Sequence, residues 1–243
     1  MQIQAKNVHY RTLNNMVREA VSSGARDIEL VGVNGQRYIG DGLRGDSLIT
    51  IRGTAGNDLA AFMDGPTIVV RGNAQDGVGN TMNSGKVLIH GEAGDILGYG
   101  MRGGKIFVKS NVGYRAGIHM KSYEGRVPVV VAGGRAGDFF GEYMAGGILV
   151  LLGLETDGKP IVGDYCATGI HGGAIFIRGE VEKHRIGQEA AIEEPSPENM
   201  DTLRKILSEY CSDFGLDVAH VMSEKFIRLY PYSSRPYGRL YAY

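Results

Sequence analysis

Apolar and polar positions along this chain follow one template that returns at near-constant spacing. Each copy begins with an apolar residue, usually followed by Gly, and continues with two variable positions, Met, further Gly and a short β-rich run. Successive copies begin 19 to 26 residues apart. The Met positions of the five clearest copies are Met63, Met82, Met101, Met120 and Met144. Two outer copies, which begin at Ile39 and Cys166, have Leu43 and Ile170 there instead. Such periodicity indicates a repeat architecture.

The repeat predicts an all-β solenoid. Each copy has one predicted strand of four or five residues and no room for a helix of ten or more, which excludes the helical repeat classes. The predicted strands are residues 48–51, 67–70, 86–89, 105–108, 127–131, 148–152 and 174–177. We therefore expect a parallel β-helix of about seven coils, with the Met side chains packed in a row inside it.

The two ends of the chain depart from the repeat and predict caps. Residues 1–38 contain a predicted helix (residues 12–24) and a strand pair joined at Asn34-Gly35, which is a strong hairpin signal. Residues 39–181 form the β-helix, and residues 182–243 form a helical, Tyr-rich extension with helices over 199–214 and 217–227. We expect the helices to cap the far end of the array or to pack along its flank.

The composition indicates which kinds of partner and which cellular location to expect. The formal net charge is -1, which gives no global electrostatic case for nucleic acid or for an anionic membrane. No apolar run approaches the roughly 20 residues of a spanning helix, and Met1 opens on a mixed polar segment, so we expect neither a membrane span nor a signal peptide. Only two cysteines are present. A disulfide framework is therefore not expected, and a cytoplasmic location fits.

The sequence offers little catalytic chemistry. Residues 40–45 and 98–103 match the G-x-G-x-x-G dinucleotide pattern, but a strand follows where that site requires a helix, and both fall at the same register of the repeat. The six histidines show no metal-ligand spacing with one another or with either cysteine. Cys166 occupies an apolar position, which favours a buried thiol. We predict no catalytic residue, no cofactor site and no metal site in this chain.

The repeat resembles the family of β-helical domains named for its G-x-G-x-G motif, represented here by Gly40-x-Gly42 and Gly98-x-Gly100. It is similar to the C-terminal domain of the glutamate synthase large subunit. The segment Gly133–Gly153, GGRAGDFFGEYMAGGILVLLG, resembles that domain's G-D-x-x-x-E-Y-M-x-G-G-x-V-V-V-L-G segment almost position by position. The resemblance covers about residues 36–180. It implies a right-handed parallel β-helix without catalytic residues of its own.

The resemblance also implies partners. In the family, the β-helix holds a glutaminase domain and an FMN/iron–sulfur synthase domain in fixed relation around an ammonia path. This chain lacks an N-terminal Cys nucleophile, a flavin barrel and a cysteine cluster. It therefore looks like the free-standing subunit of a split glutamate synthase, whose FMN and iron–sulfur clusters lie on other chains. Related β-helices occur as subunits of formylmethanofuran dehydrogenase and of methylglutamate synthases.

These considerations predict a scaffold subunit that positions a glutamine amidotransferase subunit and an FMN/iron–sulfur subunit for ammonia transfer to 2-oxoglutarate. Alternatives are the equivalent subunit of the related complexes, a self-contained β-helix enzyme, and a homo-oligomeric structural module. We expect no nucleic-acid partner and no membrane partner. The residues expected to contact partners are His119, Glu142, Tyr143, Tyr232, Arg235 and Tyr237.

Overall fold

A computed structural model describes residues 1–233 of the chain and shows a parallel β-helix. The helices are α1 (Tyr10–Ser22), α2 (Pro197–Phe214) and α3 (Val218–Val221), with a short 3₁₀ turn at Lys183–Arg185. The strands are β1 (Gln2–Gln4), β2 (Asp27–Asn34), β3 (Leu48–Thr54), β4 (Asp64–Val70), β5 (Ser84–Ile89), β6 (Lys105–Val108), β7 (Val129–Ala132), β8 (Ala145–Leu151), β9 (Gly172–Arg178), β10 (Ala190–Glu193) and β11 (Phe226–Pro231).

One parallel ladder runs along the solenoid. Strands β3 to β9 pair in chain order, each with the same register, so that Ile68 pairs with Val87 and Val87 with Ile106. These seven strands correspond to the seven copies of the repeat and enclose about six complete turns between them. The predicted fold class is confirmed.

A second ladder consists of single-residue parallel bridges. It joins Ala55, Ala74, Ala93, Val112, Ala136 and Val162 in succession. Small side chains suit this corner because each one is buried between the residues above and below it. The five Met side chains of the repeat are also fully buried, in the same core as these residues. The prediction of an internal Met row is therefore confirmed.

Strands β4 to β9 have apolar residues on both faces because both faces are covered. In β6, Ile106 and Val108 point into the solenoid, whereas Phe107 points outward and packs under α2. Helix α2 begins at the Ser196 cap, where Ser196 Oγ accepts a hydrogen bond from the Asn199 N–H. It ends at Gly215, whose φ of 67° is the left-handed C-cap conformation. Of the two placements left open by the sequence, the structure shows α2 along the flank.

Additional secondary structure covers the two ends. At the first end, β1 and β2 extend the parallel ladder and α1 buries Leu13, Val17 and Ala20. At the other end, β11 pairs antiparallel with β9, and β10 pairs antiparallel with β11. None of the helices in residues 1–233 has the length and apolarity needed to cross a membrane.

Two details of the end segments differ from the sequence prediction. The predicted hairpin at Asn34-Gly35 is wrong. Strand β2 pairs in parallel with β1 and β3, and the Gly35 N–H donates to the Thr54 carbonyl of the next coil. Stacking on a coil outweighs the local turn preference there. The helix predicted over 217–227 is only the short α3, because Phe226 and Leu229 are buried in β11 against the last coil.

Candidate functional site: the turn edge

The third corner of each coil has an unusual backbone, and we call this corner the turn edge. It comprises residues 38–42, 58–62, 77–81, 96–100, 115–119, 139–143 and 165–169, and in each of these turns the first, third and fifth residues have positive φ. Glycine occupies nine of these 21 positions, and a residue with a side chain occupies the other twelve. The G-x-G-x-G pattern therefore corresponds to a turn in which every second residue has the left-handed conformation.

The middle position of each turn is restricted to small residues. A Cβ atom at Gly79 would lie 2.3 Å from Ile106 Cδ1, which projects from the strand of a later coil. Backbone hydrogen bonds hold this position in register, since the Gly98 N–H donates to the Val78 carbonyl at 2.7 Å and the Gly117 N–H to the Leu97 carbonyl at 2.7 Å. The middle position is thus internal, and only Gly and Ala occur there.

The first and fifth positions face outward and form two columns along the solenoid. The first column contains Ile96, Arg115, Phe139 and Tyr165 in successive coils. The Arg115 guanidinium lies 4.5 Å from the Phe139 ring centre, and the Phe139 and Tyr165 rings are stacked at 5.0 Å with an interplanar angle of 13°. Large side chains here are strained, because an L residue in the left-handed region costs about 1–2 kcal/mol.

The fifth-position column contains a second ring stack. His119 and Tyr143 lie 5.4 Å apart with an interplanar angle of 10°, and Tyr99 meets His119 edge-on at 5.9 Å. Several rings of the edge are exposed to solvent, with Phe62 54% and Tyr165 58% accessible. Burial does not compensate the strain at such exposed positions, and strained positions that persist are typical of functional sites.

The structure brings three of the predicted contact residues together on this edge. Glu142 is largely buried and accepts a hydrogen bond from Arg115 Nε at 2.9 Å, while the His119 N–H donates to the Glu142 carbonyl at 3.0 Å. Tyr143 completes the group through its stacking on His119. Whether His119, Glu142 and Tyr143 contact a partner stays a prediction.

The remaining predicted contacts belong to the C-terminal segment. Tyr232 is 82% exposed, and its N–H donates to the Glu189 carbonyl at 2.9 Å. The Glu189 carboxylate accepts from the Gly169 N–H at 3.2 Å, and Gly169 belongs to the last turn of the edge. Tyr232 therefore lies at one end of the turn edge. Arg235 and Tyr237 lie outside the described residues.

Sequence reasoning missed most of the exposed edge. The residues that were not predicted are Phe62, Tyr99, Arg115, Phe139 and Tyr165. A signal was present in the repeat, because the residue before each copy and the residue before each Met are the two outward left-handed positions. Aligning the seven copies at these two positions identifies the columns and all of these residues except Tyr99, which precedes the fifth-position Gly100.

Carboxylates border the first column on one side. Asp76, Asp95 and Asp138 each use Oδ1 to accept a backbone N–H of the next coil, at 2.9, 2.8 and 2.9 Å respectively. None of the three forms a salt bridge within residues 1–233. Arg102 and Lys121, in contrast, lie beyond the fifth-position column and are exposed. Charges of both signs therefore lie along the turn edge, since Arg37 and the Arg185-paired Asp164 share the register of these aspartates and Asp64 shares that of Arg102.

A separate cavity of about 560 Å³ lies between the ends of strands β5–β9 and α3. Its charged lining is mixed and includes Glu92, Glu155 and Asp217 together with Lys109 and Arg178. His90 also lines it; partial burial and the nearby Arg71 and Lys109 charges lower the pKa of its imidazole. No three His, Cys, Asp or Glu side chains within residues 1–233 are grouped to hold a metal ion. The cavity therefore shows no single ligand chemistry.

Comparison with known proteins gives a consistent result. The chain is 48% identical over 248 residues to an uncharacterized protein of Methanocaldococcus jannaschii, which covers 98% of this chain and 95% of that protein. It is also similar to a chain in the crystal structure of the formyltransferase/hydrolase complex of Methylorubrum extorquens with methylofuran. That similarity has a TM-score of 0.61 and 21% identity, and it covers 82% of this chain and 71% of the other. It concerns the fold.

The family model of the GXGXG motif matches residues 6–232, which is nearly the whole of the described chain. The matched range includes all seven turns of the edge and, at the two ends, α1, β2, β10 and β11. The glycines of the motif occupy positions of these turns where the backbone has positive φ. This chain therefore belongs to the GXGXG motif family.

Proposed function

We propose that this chain is a non-catalytic scaffold subunit of a glutamate synthase-type complex. Its partners in this proposal are a glutamine amidotransferase subunit and an FMN/iron–sulfur subunit that passes ammonia to 2-oxoglutarate in the cytoplasm. The FMN and the iron–sulfur clusters belong to the partner, and this chain holds no cofactor. The observation that carries the proposal is the exposed, stacked aromatic surface of the turn edge on a rigid solenoid.

Such a surface suits a scaffold for two physical reasons. Aromatic and arginine side chains are enriched among the residues that contribute most to protein–protein binding, and aromatic rings bury large areas with few rotatable bonds. Each turn is also fixed by hydrogen bonds to its neighbours, such as Gly100 N–H to Ile118 carbonyl at 2.9 Å. A rigid surface of this kind keeps two bound partners at constant spacing, which ammonia transfer between separate active sites requires.

Co-expression with a glutaminase-like chain and a flavin/iron–sulfur chain of the same organism tests the proposal. We expect the three chains to elute together from a sizing column, with flavin absorbance and glutamine-dependent formation of glutamate. Replacing two rings of the edge, Phe139→Ser with Tyr165→Ser, is expected to weaken the association about tenfold or more. Tyr123→Ser is the matched control, since Tyr123 is 45% exposed and lies outside the edge.

Two results would overturn the proposal. One is turnover by the purified chain alone, which would indicate a self-contained β-helix enzyme. The other is elution of a folded chain without either partner, which would indicate an independent structural module. Equal loss of association in the Tyr123 control would show that the edge rings have no special part in it.

The similarity to a chain of the formyltransferase/hydrolase complex favours a second candidate. In that case this chain is the equivalent subunit of a one-carbon complex such as formylmethanofuran dehydrogenase. A methylglutamate synthase is the corresponding alternative with methylamine as the amine. The substrate that the co-purified complex converts distinguishes these candidates: glutamine-derived ammonia, methylamine, or a formyl group.

A further inference from the structure

We propose that a cluster of cationic and aromatic side chains at the first end of the turn edge binds an acidic segment of a partner protein. The cluster comprises His9, Tyr10, Arg11, Arg37 and Tyr38, and we call it the basic–aromatic cluster. The inference rests on the proposed function in one respect, since the segment belongs to a protein that the turn edge holds. It adds the chemistry by which one end of the edge recognises that protein.

Two guanidinium groups share one aromatic ring in this cluster. Arg37 Cζ lies 4.6 Å from the Tyr10 ring centre and 5.6 Å from the Tyr38 ring centre, and Arg11 Cζ lies 5.9 Å from the Tyr10 centre. Arg11 Nε also donates to the Tyr10 hydroxyl at 3.2 Å. The His9 and Tyr10 ring centres are 4.5 Å apart. The cations and rings therefore form one continuous patch, in which Arg11 and Arg37 are exposed.

The positive charge of the cluster is not compensated within the described part of the chain. Residues 1–18 and 30–40 contain no Asp or Glu, and their cationic side chains are Lys6, Arg11, Arg18 and Arg37. Arg18 pairs with Asp41 at 3.7 Å, whereas neither Arg11 nor Arg37 forms a salt bridge within residues 1–233. A guanidinium that stacks on a ring keeps donors at its edge for a carboxylate.

The ring between the two guanidiniums reports the same positive field. The hydrogen bond from Arg11, together with the hydrogen bonding and charge of Arg37, lowers the pKa of the Tyr10 hydroxyl below its ordinary value of 10. Carboxylates placed beside the two guanidiniums would offset this field. The cluster therefore favours an anionic ligand.

The backbone beneath the cluster is fixed by buried hydrogen bonds. Asn14 is largely buried, and its Nδ2 donates to the Arg37 carbonyl at 3.0 Å. Gln36 Nε2 donates to the Ala5 carbonyl at 2.8 Å, which ties the N-terminal segment to the first coil. Both halves of the cluster are thus held together before any ligand binds. Such preorganisation lowers the entropic cost of binding.

The position of the cluster selects the kind of anion. Tyr38 is the first residue of the first turn of the edge, and Arg37 precedes it, so the cluster continues the proposed partner surface. The following coils reverse the charge, because Asp58 comes after Tyr38 in the first column and Asp76 and Asp95 share the register of Arg37. A long polyanion or a flat anionic membrane would be repelled by these carboxylates. A short acidic segment of a protein that also covers the edge is not.

A peptide titration of the full chain tests the inference. The probes are a fluorophore-labelled peptide of alternating Glu and Ser and the same peptide with Gln in place of Glu, both followed by anisotropy. We expect saturable binding of the Glu peptide that is about tenfold weaker for the double variant Arg11→Gln and Arg37→Gln. The binding is expected to weaken as the salt rises from about 50 to about 500 mM, and the Gln peptide is expected not to bind.

The matched control carries Arg204→Gln and Lys205→Gln, which change the net charge by the same amount. Both residues are exposed on α2 and form no salt bridge within residues 1–233. We expect the control to bind the Glu peptide like the unsubstituted chain, and melting temperatures verify that both double variants are folded.

The co-expressed complex tests whether the segment belongs to a partner. We expect the complex with the Arg11 and Arg37 variant to dissociate at a lower salt concentration than the complex with the control variant. If no complex forms with any version of the chain while the peptides behave as expected, the proposed function fails and the acidic chemistry of the cluster stands.

Four results would overturn the inference. They are equal binding of the Glu and Gln peptides, equal binding of the Glu peptide to the two double variants, and equal salt resistance of the two complexes. The fourth is a single-stranded oligonucleotide that binds more tightly than the Glu peptide and is lost in the Arg11 and Arg37 variant, which would assign the cluster to nucleic acid.

Discussion

At the scale of single residues, the turn edge places side chains where the backbone favours glycine. The middle positions have a steric reason to be small, because a Cβ at Gly79 would overlap Ile106. The outward positions have no such restriction, and Ile, Arg, Phe, Tyr and His occur there with positive φ. Each of these residues lowers the stability of the fold by about 1–2 kcal/mol relative to an unstrained residue. Stability alone therefore does not account for them.

This strain predicts that glycine is tolerated better at Ile96 than at the neighbouring Ile118. Ile96 has a φ of 51° and is 36% exposed, so Ile96→Gly relieves about 1–2 kcal/mol of strain while it loses chain entropy and the contacts of a partly buried side chain. We expect the free energy of unfolding, measured in urea titrations, to fall by about 1–2 kcal/mol less in Ile96→Gly than in Ile118→Gly. Ile118→Gly is the matched control, since Ile118 lies in the same kind of turn without positive φ. It is expected to destabilise; an equal loss in both variants would refute the strain argument.

At the scale of elements, α2 is held on the solenoid by an apolar face and by charges at its border. Tyr210 donates its hydroxyl to the Val108 carbonyl at 3.1 Å, and its ring meets Phe107 edge-on. Lys86 pairs with Glu209 at 2.8 Å and also with Asp213, while Lys105 pairs with Glu209. These ion pairs connect two successive strands to one helix.

The ion pairs between α2 and the sheet predict how the stability of the fold depends on pH. Partial burial raises the pKa of the Glu209 carboxyl, but hydrogen bonds and charge from Lys105 and Lys86 outweigh it and leave this pKa below its ordinary value of 4.5. A carboxyl with a lowered folded pKa stabilises above its unfolded pKa and loses that contribution as the pH falls through the folded value. We expect the stability difference between the wild type and Glu209→Gln to be constant at neutral pH and to shrink below about 4.5.

Chemical unfolding at a series of pH values measures this difference. Glu198→Gln in the exposed first turn of α2 serves as the control, since Glu198 forms no salt bridge within residues 1–233. A Glu209 difference that grows as the solution becomes more acidic would contradict the assignment of the ion pairs.

The elements also show how much of the fold can be predicted from the sequence. The repeat predicted the seven strands because every copy has the same apolar positions and one register satisfies them all. The flank position of α2 was left open, although outward apolar residues such as Leu88, Phe107 and Phe176 signal a second covered face. The ring stacks of the edge join residues 24 and 26 positions apart, and only the alignment of whole coils brings them together.

At the scale of the whole molecule, two apolar clusters share one sheet. The first fills the solenoid, and the second lies between the outer face of the sheet and α2. Each cluster contains one of the two free cysteines, Cys166 in the first and Cys211 in the second. The cysteines are therefore separate reporters of the opening of the two clusters.

This arrangement predicts an order of thiol reactivity. Burial raises the pKa of Cys166 to about 12, and burial with the nearby Asp217 charge raises the pKa of Cys211. A thiol must be exposed and deprotonated to react. Single-cysteine variants treated with an aromatic disulfide reagent at pH 8 are expected to react far more slowly than a free thiol, with Cys211 faster than Cys166 because α2 can detach while the coils stay closed. Faster labelling of Cys166 would show that the solenoid opens first.

The ends of the ladder have a consequence for self-association. A stack of parallel strands offers each terminal strand as a template for another chain, the geometry by which fibrils grow. Here one terminal strand, β1, has only three residues, and the other end reverses direction through β11 and closes with the four-residue β10. An incoming parallel coil finds no matching register on an antiparallel end strand. The two ends of the solenoid therefore oppose end-to-end polymerisation of the chain.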